Sequence, residues 1–266
     1  WRARHIKNKV ASGGKIDLVH VFGGSAWKLG AMVAAVLESE LVLEVWRSGL
    51  VARAATNEWE DAIFMAPDPA IERAMLQESQ GLTVRLAPWG VLTPDEPSRI
   101  LEAERAPSVM VVGSGRDGEA TRAAMEGIAK AAEKTPELLV FVDAREAQLA
   151  GLWEVARRLG LLERLSLIED LEGRRDLLLR GDILVQPEAL GEQRTTLLEA
   201  MGSGMAVVAA RDPLVSTLID QRTAIVVDGR DRAAWGDAIS GLLADRERAR
   251  RLGASARVYV RDERPA

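Results

Sequence analysis

Two stretches of the sequence set glycines, carboxylates and hydroxyls at spacings that can do chemistry. In the first, Val111-Val-Gly113-Ser-Gly115-Arg-Asp-Gly118, three glycines at G-x-G-x-x-G spacing follow an apolar run and precede a helical period. Such a loop brings backbone N–H groups and a helix N-terminus close to a phosphate. Asp143, at the end of the next apolar run, stands where a dinucleotide site places its ribose carboxylate, at a longer interval than the usual ~20 residues. The same glycines fit a plain strand-to-helix turn, and the pattern does not separate a dinucleotide from a sugar nucleotide. The second stretch runs from Gln186-Pro-Glu188-Ala-Leu-Gly191-Glu192 through Thr195 and Thr196 to Glu199. Here a polar loop with two carboxylates leads into a helix whose first N–H groups lack intrahelical partners. A carboxylate one turn into that helix can accept two hydrogen bonds from vicinal ribose hydroxyls, while the helix start and the threonine hydroxyls hold a diphosphate. A capped surface helix with acids favouring its dipole is the alternative.

Elements of an α/β protein are needed to bring these stretches together. Short Val/Ile/Leu runs alternate with segments of helical period, the pattern of strand-helix-strand units around a mostly parallel sheet. Strands are expected at 16–22, 41–46, 61–66 and 83–87, with helices over 25–37 and 69–77. Prolines 88, 94, 97 and 107 with Gly90 mark a linker near 92–107. Beyond it, strands at 108–112, 138–142, 165–168, 182–185, 205–210 and 224–227 make a complete doubly wound domain. Helices are expected between them at 120–134, 146–159, 172–179 and 195–203, with a short one after Asp212-Pro213 and two at the end. In such a sheet, ligands bind at the carboxyl ends of the strands.

Composition narrows the chemistry. Apolar residues make up 47% and charged residues 28% of the 266, an ordinary globular balance. There is no cysteine, and His5 and His20 are the two histidines, so a thiol nucleophile and a Cys or His-rich metal site are excluded. A net charge of −5 argues against a chain-wide nucleic-acid surface, while local arginines suit phosphate-bearing small ligands. No apolar run approaches the ~20 residues that span a bilayer. The chain opens at Trp1 in a basic segment without an initiator Met or an apolar signal core, which reads as a processed or truncated start. The basic residues from Arg2 to Lys15 suit an anionic membrane surface or a solvated terminus.

From Ser108 to Val258 the sequence resembles the nucleotide-sugar-binding half of the family 4 glycosyltransferases, retaining enzymes of the GT-B fold. The resemblance rests on Val111-Val-Gly-Ser-Gly-Arg116, Leu159-Gly-Leu-Leu-Glu-Arg164 and Gly181-Asp-Ile-Leu-Val-Gln-Pro187. It continues in Leu198-Glu-Ala-Met-Gly-Ser-Gly-Met-Ala-Val-Val208 and in the tail from Leu242 to Arg257. Asp17-Leu-Val-His-Val-Phe-Gly23 and Leu86-Ala-Pro-Trp-Gly-Val91 resemble the first half more faintly. The resemblance implies two Rossmann-like domains, at 1–91 and 108–266, with the linker between them and the first one incomplete.

It also implies roles. Gly115 and Arg116 match the donor loop, and Arg122 falls where the family has a lysine beside the diphosphate. Thr195, Thr196 and Glu199 match the helix that holds the diphosphate and ribose. Of the family's Glu-x7-Glu pair, Glu199 is the second. The first, which contacts the transferred sugar, falls on Gly191, and Glu192 is the nearest acid. The family's histidine near the reacting sugar is replaced by Trp46. His20 is expected to pack on its strand, and Trp27, Lys28, Trp46 and Arg47 are candidates for an acceptor groove or for core and rim.

The expected function is transfer of a sugar from a nucleoside-diphosphate donor to a sugar or lipid-linked acceptor with retention. Glu192 and Arg116 are the candidate catalytic residues, and no metal or other cofactor is expected. Expected partners exclude nucleic acid; the expected location is cytoplasmic, with peripheral contact to the inner membrane face. Two alternatives stand beside it: a nucleotide-binding relative without turnover, and an NAD-type oxidoreductase built on Gly113, Gly115, Gly118 and Asp143.

Overall fold

The computed structural model describes residues 2–10, 14–59, 61–78 and 81–266. Trp1 and part of the basic opening lie outside the described residues. The chain divides into two units: residues 1–89 with 190–193 and 213–216, and residues 90–189, 194–212 and 217–266. Each unit is built on its own parallel sheet.

The first unit begins with helix α1 (Arg2–Val10), which packs on α2 (Trp27–Leu37), where Lys7 Nζ donates to the Val36 carbonyl at 2.9 Å. The basic opening is thus helical over these residues, with most of its side chains exposed. Strands β1 (Leu18–Val21), β2 (Glu40–Glu44), β3 (Ile63–Ala66) and β4 (Thr83–Leu86) pair in that order, all parallel. Helix α4 (Pro69–Glu78) starts at a proline, whose missing N–H is no loss in a first turn. The helix α3 (Ser48–Ala54) has no counterpart in the sequence reading. Trp27, for which groove and core were both open, is fully buried in this unit's core. Its ring meets Trp59 edge-on at 5.4 Å, with the Arg53 guanidinium 5.1 Å above it. Burying these aromatic faces against one another is worth more than lining a wet groove.

In the second unit, β5 (Ser108–Val111), β6 (Leu139–Asp143), β7 (Leu165–Ile168), β8 (Ile183–Gln186), β9 (Ala206–Ala210) and β10 (Ile225–Val227) form one sheet in the order β10-β9-β8-β5-β6-β7. Every pair is parallel. That is the doubly wound order of a Rossmann fold, and the winding reverses between β5 and β8. Strands β5, β8 and β9 are buried on both faces, which is why their sequence reads as continuous apolar runs. Helices α5 (Gly118–Lys134) and α10 (Arg232–Ala244) pack closely on each other, with Trp235 fully buried against α5.

Three expected elements differ. The helix over 146–159 is two helices, α6 (Ala144–Leu149) and α7 (Leu152–Arg158), broken where Gly151 adopts φ +65°. Only α8 (Arg175–Leu178) forms within 172–179, and the short helix expected directly after Asp212-Pro213 is a run of turns. Residues 92–107 belong to the second unit. The buried Asp182 fastens them: Oδ1 accepts from Leu101 N at 2.6 Å and from Arg105, and Oδ2 from Ser108 N and Oγ, both at 2.8 Å. The unit closes with α9 (Thr195–Ser203) and α11 (Arg246–Glu263), which pack together.

Candidate functional site

The reversal between β5 and β8 sets two loops side by side at the carboxyl end of the second sheet: the glycine-rich turn 112–117 and the segment that follows Gln186. Their contact is a carboxylate. Glu188, buried, accepts from Ser114 N and, at 2.8 Å, from Ser114 Oγ through one oxygen and from Asp117 N at 2.8 Å through the other. Two of the N–H groups of the glycine-rich turn, those of Ser114 and Asp117, are therefore directed at Glu188. Asp117 caps α5 by accepting from Ala120 N at 3.1 Å.

A second buried carboxylate, Glu146, adjoins the first. A Cβ at Gly113 would lie 2.6 Å from Glu146 Oε1 and 3.0 Å from Glu188 Oε2, so a larger residue there would displace these two carboxylate ends. Burial, then the neighbouring Glu188, push the Glu146 carboxyl up from 4.5 to about 8; the Arg194 charge and the Thr121 hydroxyl oppose the rise, and Asp143 adds to it. Asp143 caps α6 through Arg145 N and Glu146 N and accepts from Leu171 N at 2.9 Å. Asp143, on which the oxidoreductase reading leans, thus has both carboxylate oxygens engaged by backbone amides.

The expected donor residues lie in four places, three of them in the second unit. Gly115 adopts φ +73° against Leu149 and Glu146, and Arg116 follows it on the exposed side of the turn, its Nε donating to Ser114 Oγ at 3.0 Å. Arg122 points along α5 toward the Ala150 carbonyl, 3.5 Å from Nη1. Thr195, Thr196 and Glu199 gather on the first turns of α9: Thr196 is buried, while Thr195 and Glu199 line a cavity of about 390 Å³ with Val91, Leu92 and Leu179. The helix has no acid in its first turn, and its N-cap Arg194 makes no capping bond.

Arg175, which sequence reasoning passed over, completes this group. Its Nε donates to Glu199 Oε2 and its Nη2 to Thr195 Oγ1 at 3.2 Å. Arg194, 13% exposed at the side chain, holds both oxygens of Glu172 at 2.9 Å. The run Glu172-Gly-Arg-Arg175 carried the only signal, a pair of arginines just ahead of a buried strand.

Gly191 and Glu192 belong instead to the four-residue stretch that clusters with the first unit. Gly191 has φ +65°, and a Cβ there would lie 2.7 Å from Leu214 Cδ1 and 2.9 Å from Ser48 Cβ. No glutamate fits this position without moving its surroundings. Glu192 is buried, its Oε1 3.8 Å from Arg47 Nη1. Also in the first unit, Glu44 is buried and accepts from Trp89 Nε1 at 2.8 Å, with His20 Nε2 2.7 Å from its other oxygen. His20 thus lies on β1 as expected, its ring 4.2 Å from that of Phe22 and its Nε2 hydrogen-bonded to the buried Glu44. Trp46 Nε1 donates to the Phe22 carbonyl at 3.1 Å.

Among the described residues no three His, Asp or Glu side chains gather as metal ligands, and no helix is long and apolar enough to cross a membrane.

Comparison with known proteins agrees with this architecture. The chain is 44% identical over 57 residues to D-inositol 3-phosphate glycosyltransferase of Nocardia farcinica, a match covering 21% of this chain and 13% of that protein. Among solved structures, sucrose-phosphate synthase from Thermosynechococcus elongatus superposes with a TM-score of 0.75 at 20% identity, over 99% of this chain and 73% of that one. Anabaena Alr3699/HepE in complex with UDP and glucose does so with a TM-score of 0.78 at 14% identity, over 98% and 77%. At these identities the likeness speaks for the fold, two Rossmann-like units of the GT-B type. The family model described as glycosyl transferases group 1 matches residues 106–245, more than half of the 266. The chain belongs to the group 1 glycosyl transferases.

Proposed function

We propose that this chain is a glycosyltransferase, or its larger part, that transfers a sugar from a nucleoside-diphosphate donor to an acceptor hydroxyl, and that the second unit holds the nucleotide. The observation that carries the reading is the group at the start of α9: a carboxylate, a hydroxyl and a guanidinium at one helix N-terminus beside an open cavity. Glu199 is suited to the ribose hydroxyls and Thr195 to a phosphate oxygen. Arg116, exposed on the turn after β5, supplies charge to the leaving diphosphate. The UDP and glucose in the HepE complex are consistent with this class of donor.

The resemblance to retaining enzymes suggests front-side transfer. The bond from the anomeric carbon to the diphosphate oxygen breaks with its electron pair on that oxygen. The acceptor oxygen then bonds the same face of the carbon and gives its proton to the departing diphosphate. This route uses no protein nucleophile and calls on no metal. Arg116 then acts by charge. A second reading, nucleotide binding without turnover, is favoured by Gly191 and Trp46 where the family has its glutamate and histidine.

Saturation-transfer NMR with UDP-, GDP- and ADP-sugars tests the proposal. Signals are expected on the ribose and sugar protons of one donor, and they vanish in Glu199→Ala. No signal from any donor would overturn it.

A further inference from the structure

Arg175 sits on the two side chains that the nucleotide reading assigns to ribose and phosphate, and this arrangement has an electrostatic cost. Its Nε is committed to Glu199 and its Nη2 to Thr195 Oγ1. Its Nη1 is shielded from solvent and has no hydrogen-bond partner. The start of a helix carries partial positive charge, so a guanidinium placed there is disfavoured unless an anion joins it. Glu199 is one such anion, but α9 has no acid in its first turn and no side-chain cap. Two positive features therefore converge on one carboxylate, with donors left over.

We propose that Arg175 is a further donor-binding residue that latches Glu199 while the site is empty and grips the diphosphate when the nucleotide enters. The inference rests on the α9 group being the nucleotide site. When vicinal ribose hydroxyls take the Glu199 carboxylate, the guanidinium gives up that contact and presents Nε and Nη1 to phosphate oxygens, with Nη2 already beside the Thr195 hydroxyl. A planar fork matches two oxygens of a phosphate in a way that a single ammonium does not. The exchange also has a consequence for selectivity. A ligand with ribose but no phosphate breaks the Arg175 contact to Glu199 and offers the guanidinium nothing in return. A diphosphate offers it a replacement. Arg175 thus discriminates nucleoside diphosphates from nucleosides, beyond the charge that Arg116 supplies.

The test is calorimetric titration of the parent chain, Arg175→Ala and Arg175→Lys with uridine, guanosine and adenosine and with their diphosphates. The expected result for the base that binds is a loss of diphosphate affinity of about tenfold to a hundredfold in Arg175→Ala. Nucleoside affinity is expected to stay unchanged or rise, because Glu199 is released. Arg175→Lys is expected to recover part of the diphosphate affinity. Equal losses for nucleoside and diphosphate would mean that Arg175 merely shapes Glu199, and unchanged diphosphate affinity would mean that it does not reach the ligand. Either result overturns the role given to Arg175 while leaving the nucleotide site standing. A parent chain that binds none of the six ligands removes the site itself and this inference with it. Melting curves that coincide for the three proteins establish that the variants are folded.

Discussion

At Gly191 the backbone decides the chemistry. Its φ of +65° and the closeness of Leu214 and Ser48 disfavour any side chain there. Gly191→Ala is expected to destabilise the protein by about 2 kcal/mol, from the left-handed backbone and the overlap together. Differential scanning calorimetry should show a melting temperature lower by roughly 4–8 °C; an unchanged value would contradict the packing described. Glu146 is the second such position. Its carboxyl is raised from 4.5 to about 8, so its favourable contribution is complete below pH 4.5 and is lost as pH climbs toward 8. Glu146→Gln keeps the neutral form at every pH. The stability of the variant relative to the parent should therefore grow between pH 5 and 8 and level off above. A gap that stays constant over that range in urea titrations would refute the assignment.

Elements explain both what the sequence reveals and what it hides. Strands β5, β8 and β9 are buried on both faces, so their apolar runs announced them within a residue or two. Helix α9 was legible from Thr195 and from the apolar period behind it. The break between α6 and α7 was not, because Gly151 lies within a run whose apolar period continues across it. The candidate site was half legible: Thr195, Glu199 and Arg116 were named from motifs, and the structure brings Thr195 and Glu199 together on α9 while Arg116 stands on the turn after β5. Arg175 and the Glu146 and Glu188 pair were missed because their partners are 24, 42 or more residues away in sequence and meet only through the sheet order. Glu188 was visible in its loop, yet nothing local shows that it would take two amides of the glycine turn. The segment 92–107 was read as a linker from its prolines, and Asp182 holds it in the second unit. Asp182→Ala leaves the Leu101 and Ser108 donors without their buried acceptor, a loss of about 2–4 kcal/mol. Hydrogen exchange at Leu101 and Ser108 should accelerate strongly in that variant, and protection equal to the parent's would show that the anchor is not needed.

On the scale of the molecule, two parallel sheets with separate cores account for a chain that resembles solved GT-B proteins over nearly its whole length, at 13–20% identity and TM-scores of 0.75–0.78. The fold is preserved by burial pattern and topology, and these tolerate almost any exchange of one apolar residue for another. Function does not follow from fold in the same way, since it depends on the few polar groups at the strand ends of the second sheet. The central claim is that the α9 group and Arg116 bind a nucleoside diphosphate. Isothermal titration of the intact chain with UDP, GDP and ADP, repeated for Glu199→Ala and Arg116→Ala, tests it most directly. Saturable binding of one of the three is expected, weakened at least tenfold by either substitution. Binding of equal strength in the parent and both variants, or none in any of them, would contradict it.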